Sequence, residues 1–126
     1  MAKFREYQNI EIPDFCRAED GWSDQSWHND ACAKAEKPLV PGQEYPKLRL
    51  WVEADDLVER EYEDSPKYAL EVVHDESQEC DGRASMIYYG GDAAVLTVAV
   101  SAWSSAYDKV SQMLFDLAIR ATLNKF

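Results

Sequence analysis

The densest run of chemically capable side chains is Trp22-Ser23-Asp24-Gln25-Ser26-Trp27-His28-Asn29-Asp30-Ala31-Cys32, which places Asp24, His28, Asp30 and Cys32 within nine residues. Three readings suit it. His28 and Cys32, four apart, would face one zinc ion from a single helical turn, with Cys16 or Cys80 completing the ligand set; no Cys-x-x-Cys pair accompanies them. Cys32 would act as a nucleophile if His28 or His74 took its proton. Alternatively the run is structural: Trp22 and Trp27 dock, an aspartate caps, and His28 satisfies backbone groups. The structural reading is preferred. No metal or cofactor is assigned, and Cys16, His28, Cys32 and Cys80 are kept only as metal candidates.

Other catalytic patterns are weaker. Ser23 or Ser26 could join a histidine and an acid in a triad, but no Gly-x-Ser-x-Gly elbow exposes a nucleophile. Gly90-Gly91 lacks the glycine spacing of a phosphate cradle and reads as a turn. The chain is therefore expected not to be an enzyme. The segment Glu53-Ala54-Asp55-Asp56-Leu57-Val58-Glu59-Arg60-Glu61-Tyr62-Glu63-Asp64 is different, with seven acids in twelve residues. Carboxylates about 5 to 6 Å apart on one helical face resemble a phosphate track and would meet Arg or Lys side chains. Glu53, Asp55, Asp56, Glu59, Glu61, Tyr62, Glu63 and Asp64 are the candidate partner-binding residues. Asp75, Glu76, Glu79 and Asp81 would extend this field if the fold brings them alongside. A further reading has Trp22, Trp27, Trp51 and Trp103 lining a small-ligand pocket.

The elements that must position these residues follow from composition and periodicity. The chain has 126 residues, 46% hydrophobic and 12% aromatic, enough for one core. One domain is expected over 1–126: a wrapping arm (1–46), a sheet (47–100) and a helix (102–124). The arm is read as irregular, with a short helix near Asp30 to Lys37 stopped by Pro38. Strands are expected at Lys47–Glu53, Lys67–Val73, Ser85–Tyr89 and Ala94–Val100, the last two as a hairpin about Gly90-Gly91-Asp92. Between the first two, Ala54, Leu57, Val58 and Tyr62 fall at helical spacing. From Ser104 to Leu123, Tyr107, Val110, Met113, Leu114, Leu117, Ala118 and Ala121 form a stripe wide enough to cover a sheet face. The fold class is thus α+β: a mostly antiparallel four-stranded sheet, one long C-terminal helix packed on a face, and an irregular N-terminal arm.

Charge narrows the partner class. The net charge is −11, and residues 47–81 hold twelve acids against four bases, whereas residues 82–126 hold three against four. Such a field repels nucleic acid and anionic membrane and attracts basic surfaces. No apolar run approaches the roughly 20 residues of a membrane span. The first residues lack a secretory h-region and the cysteine count is odd, so a cytoplasmic protein without a disulfide framework is expected. A sheet face opposite the helix would need covering by the arm or a second subunit, which makes a homodimer an open expectation.

The run Ser-Trp-His-Asn-Asp-Ala-Cys, followed by Leu-Arg-Leu-Trp-Val-Glu and Arg-Glu-Tyr, resembles small acidic accessory proteins of tailed phages and prophages, over about residues 22 to 75. The resemblance implies a role rather than a residue: inhibition of host defence or host nucleic-acid enzymes, of the anti-CRISPR or antirestriction type. The expected function is an acidic macromolecule-binding protein in the host cytoplasm that blocks a basic nucleic-acid-binding surface of a host protein or ribonucleoprotein, without binding nucleic acid itself. Alternatives are an immunity protein of a nuclease toxin and a small metal-dependent enzyme or metal-stabilised domain.

Overall fold

Three of the four expected strands form, and they form where period-two alternation is strongest. The computed structural model describes residues 2–79 and 84–123. Along these run β1 (Lys3–Phe4), β2 (Tyr7–Glu11), β3 (Ser23–Asp24), β4 (Ala33–Pro38), β5 (Lys47–Val52), β6 (Tyr68–Val73), β7 (Ser85–Gly90) and α1 (Ala93–Leu123). Strands β3 to β7 form an antiparallel five-stranded sheet in sequential order, and β1 pairs with β2 in a separate two-stranded sheet. The fold is α+β with five strands in the main sheet rather than four.

Two segments adopt the opposite structure from the one expected. The helix proposed for Asp30 to Lys37 is largely strand β4. Its Ala-rich composition suggests a helix, but Ala33 and Ala35 alternate with Lys34 and Glu36, and that period places both alanines in the core. Tertiary pairing overrides propensity here. Conversely, the strand proposed for Ala94 to Val100 is the start of α1. Asp92 decides this, because its Oδ1 accepts the Ala94 and Val95 amides at 2.9 and 3.2 Å, an N-cap. Gly90 permits the strand-to-helix turn, since a Cβ there would come within 2.5 Å of the Tyr88 hydroxyl, which itself accepts the Asp92 amide at 2.8 Å. The arm is also more regular than expected, for it contributes β1 to β4.

The core lies between one sheet face and the first half of α1. Leu48, Leu50 and Val52 of β5 and Leu70 and Val72 of β6 meet Leu96 and Val100, while Phe4, Ile10 and Trp22 close the edges. Trp103 and Tyr107 pack against the same cluster. The expected stripe lies further along, and it does not cover the sheet: Val110, Met113, Leu114 and Leu117 are all more than half exposed.

The opposite sheet face carries buried charge. Register sets Glu36 of β4 opposite Arg49 of β5, and Arg49 opposite Glu71 of β6. The Arg49 guanidinium meets Glu36 at 2.7 Å and Glu71 at 3.5 Å, and also pairs with the Glu79 carboxylate. Lys47 joins Glu36 and Glu79 at 3.1 and 3.0 Å. Arg49 and Lys47 are almost fully buried, and no buried side-chain polar atom among the described residues lacks a partner. Burial alone would raise the Glu79 carboxyl, but hydrogen bonds from Tyr45 and Lys47, and the charges of Lys47 and Arg49, hold it below its ordinary value of 4.5.

A depressed carboxylate contributes stability above its unfolded value and loses it as pH falls. Glu79→Gln is therefore expected to lower stability at neutral pH and to flatten the loss of stability below about pH 4.5, as measured by urea denaturation at a series of acidic pH values. An unchanged acid profile would show that Glu79 is not depressed in the folded state.

Candidate functional site

The polar face of the sheet has a row of side chains fixed by register: Lys34 opposite Trp51, Trp51 opposite Ala69, Ala69 opposite Tyr89. Ala69 is the small member. Two aromatic residues standing roughly 10 Å apart, two strand spacings, with only a methyl group between them, leave a slot. A cavity of about 370 Å³ occupies it, lined by Asp30, Ala31, Cys32, Trp51, Glu53, Glu61, Ser65, Pro66, Ala69 and Tyr89. A second cavity of about 520 Å³ lies on the other side of Trp51, lined by Trp27, Asp30, Lys34, Arg49, Trp51, Glu71, Gln78, Glu79 and Ala84. Trp51 and Asp30 belong to both.

Trp51 is held in place. Its indole N–H donates to Glu71 at 3.0 Å, and Lys34 and Arg49 sit 5.3 and 5.9 Å from its ring centroid. Glu71 in turn is held by Arg49, so the buried ionic network orients the wall of the slot. Such preorganisation removes an ordering cost from binding.

Two of the slot's three carboxylates, Glu53 and Glu61, differ from those of the network in having no cation among the described residues. Glu53 is only 7% exposed; its carboxylate accepts the Glu61 amide at 3.3 Å. No Lys, Arg or His among the described residues forms an ion pair with Glu53 or Glu61. Asp30 is shared with Lys34 at 3.8 Å. The slot therefore offers flat aromatic walls and at least two carboxylates lacking a counter-ion, an environment that stabilises an ammonium or, better, a planar guanidinium.

The acidic segment hangs beside the slot, but not as a helix. It is a looped segment with one short 3-10 turn at Leu57–Glu59, so the expected helical face of carboxylates does not exist. Arg60 closes the loop by donating to the carbonyls of Ala54 at 2.7 Å and Ser65 at 2.8 Å. Asp55 pairs with Lys67, whose hydrogen bond and charge lower the Asp55 carboxyl. Asp56 caps the turn through the Val58 amide at 3.0 Å, and Glu59 accepts from Asn9 at 3.1 Å. Glu63 and Asp64 are exposed. Leu57, Val58 and Tyr62 are exposed as well, by 52%, 80% and 64%, so the loop presents apolar anchors among carboxylates. Of the eight candidates, only Glu53 and Glu61 reach the slot. Asp75, Glu76 and Glu79 follow β6, at the other end of the sheet from the loop after β5; Asp75 caps Ser77 and Glu79 belongs to the ionic network, so the field is not extended. Asp81 lies outside the described residues.

The described metal and thiol candidates do not form a common site. Among the described residues no three His, Cys, Asp or Glu side chains converge on a common ion site, and Cys80 lies outside them. His28 is exposed against Trp27, Cys16 packs against the core, and Cys32 is buried beside Glu53. Burial, then the Glu53 charge and hydrogen bond, push the Cys32 thiol far up, and burial pushes Cys16 up to about 12, slightly offset by Lys37. Neither is a thiolate at neutral pH. Ser26 is committed to the Lys34 backbone at 3.0 and 3.3 Å. His74 Nε2 lies 3.3 Å from Ser85 Oγ on the surface, and no carboxylate among the described residues bonds that histidine. Of the four tryptophans, Trp27 and Trp51 line a common cavity, Trp22 is in the core, and Trp103 stacks on Tyr107. Among the described residues no helix is long and apolar enough to cross a membrane.

In comparison with known proteins, no family model, curated protein or solved structure matches this chain.

Iodoacetamide labelling followed by peptide mass spectrometry checks the thiol assignment. Cys16 and Cys32 are expected to react at least about tenfold more slowly in the folded protein than in denaturant at the same pH. Rapid labelling of folded Cys32 would reinstate it as a nucleophile.

Proposed function

We propose that this chain is an acidic macromolecule-binding protein that occupies a basic surface of its partner, inserting a partner arginine or lysine into the slot between Trp51 and Tyr89. The observation that carries the reading is a cavity with aromatic walls and two carboxylates, Glu53 and Glu61, that lack a cation among the described residues. Glu61 is exposed, but Glu53 is buried and has no counter-ion among the described residues, an arrangement that a partner's cation would stabilise. Exposed Leu57, Val58 and Tyr62 next to it supply apolar contact, and the surrounding acids supply attraction at a distance.

A basic surface of this kind is the sort that normally holds nucleic acid. The reading therefore extends to a cytoplasmic inhibitor that blocks the nucleic-acid-binding surface of a host protein or ribonucleoprotein, the role implied by the resemblance to small acidic phage proteins. Competition for that surface would need no catalysis and no cofactor.

Titration with an arginine-rich peptide, followed by tryptophan fluorescence at low and high salt, tests the reading. Binding is expected to weaken as salt rises, and a lysine-rich peptide of the same length is expected to bind more weakly because it cannot stack or pair in a bidentate way. Glu53→Gln and Glu61→Gln are each expected to weaken binding about tenfold, the equivalent of about 1.4 kcal/mol. Equal affinity of wild type and both variants would remove the slot from the account. Failure of every basic peptide to bind would overturn the reading itself.

A further inference from the structure

The two edges of the main sheet, β3 and β7, differ in how they meet their surroundings. Strand β3 is two residues long, and its Asp24 accepts the Arg5 amide at 2.7 Å, which ties the arm to that edge. Strand β7 runs for six residues, Ser85–Gly90, without a charge or a proline, and pairs on one side with β6. Among the described residues no backbone hydrogen bond beyond that ladder reaches it. In an antiparallel ladder alternate residues turn their N–H and C=O outward. An uncharged edge of this length with those groups free is a template for another extended backbone, the one kind of surface that matches the whole row.

This edge is continuous with the slot. The register passes over Ile87, pairing Met86 with Glu71 and Tyr88 with Leu70, and so sets Met86 as well as Tyr89 on the charged face of the sheet. Both are exposed, by 54% and 64%. Tyr89 is the outermost residue of the cross-strand row of Trp51, Ala69 and Tyr89, and it walls the cavity that Glu53 and Glu61 also line. A strand laid along β7 extends that row by about 4.8 Å, and its alternate side chains share the face of Tyr89, where opposite and diagonal neighbours come within reach of long side chains.

We propose that the basic element received by the slot is an extended segment of the partner, added along β7 as a further strand with arginines at alternate positions on the face of Tyr89. The proposal rests on the slot reading above and specifies the shape of what binds there. Charge selects this occupant over a second copy of the chain. Whatever lies along β7 lies beside Glu53 and Glu61, which have no cation among the described residues. A second β7 edge would bring another body of charge −11 and another such pair of carboxylates to the same place, whereas a basic strand brings the missing cations. Backbone pairing holds the segment, and the alternation of its side chains puts every arginine on one side.

A peptide of alternating arginine and threonine, titrated into the full chain, tests the proposal against two derivatives of unchanged charge, one N-methylated on the backbone at its arginines and one at its threonines. In an extended strand one of these sets faces β7 and the other faces solvent. One derivative is expected to bind more than about tenfold more weakly than the parent and the other within about twofold of it, because only one loses its donors to the edge. On saturation with the parent peptide, the amides of β7 that face away from β6 are expected to exchange with deuterium at least about tenfold more slowly. Equal affinity of both derivatives and the parent, or unchanged exchange in β7, would overturn strand addition while leaving the slot reading in place if Glu53→Gln still weakens binding. Failure of the parent peptide to bind would remove the slot reading and this proposal together. A free chain that sediments as a dimer with its outward β7 amides already protected would assign the edge to a second copy and overturn the proposal.

Discussion

The buried charge of Arg49 is the constraint on which the rest of the structure depends. A guanidinium in the middle strand of a five-stranded sheet must be matched on both sides, and it is: Glu36 lies opposite it on β4, Glu71 on β6, and Glu79 reaches in from the loop after β6. Buried ion pairs contribute little net stability against an apolar alternative, but breaking one is costly, about 3 to 5 kcal/mol. Their effect is on choice of structure. Sliding β5 by one residue would turn Arg49 into the apolar core and Leu48 and Leu50 out of it, so the network and the core enforce the same register.

From that register the candidate site follows. Trp51 is two residues beyond Arg49 on the same face, and its indole is tied to Glu71, which Arg49 also holds. Ala69 and Tyr89 are placed across from it by pairings that the network secures. The two sheet faces thus have different tasks. One is buried by Leu96, Val100 and the arm; the other organises charge and leaves a slot at the edge of the network where Glu53 and Glu61 have no cation among the described residues. The acidic loop after β5 is joined to that slot through Glu53 and is closed by Arg60, so its exposed Leu57, Val58 and Tyr62 are presented beside it.

How much of this was legible in the chain itself depends on the range of the interaction concerned. Strands β5, β6 and β7 could be read because alternation is a local signal. Strand β4 was misread because Ala and Lys favour a helix in isolation, whereas pairing with the distant β5 along its whole length makes the segment a strand. The start of α1 was misread because Val95, Thr97, Val98 and Val100 are β-branched, although Asp92 before two alanines was an available capping signal. The acidic segment was legible as charge but not as shape, since Arg60 folds it into a loop through backbone carbonyls that no periodicity reveals. Glu53 and Glu61 were visible as acids. Ala69 and Tyr89 were not visible as site residues, because a slot between two aromatics exists only once cross-strand partners are known. The overhanging end of α1 was legible as a stripe but not as an overhang.

The most direct measurement follows the backbone amide and tryptophan indole NMR resonances of the chain during titration with an arginine-rich peptide. Insertion of a guanidinium between Trp51 and Tyr89 is expected to move the Trp51 indole and the Ala69, Tyr89 and Glu61 amides together, with Trp22 and Trp103 unmoved. Shifts confined to the exposed acids of the loop, with the Trp51 indole unchanged at saturation, would contradict the slot and leave only a diffuse attraction between opposite charges.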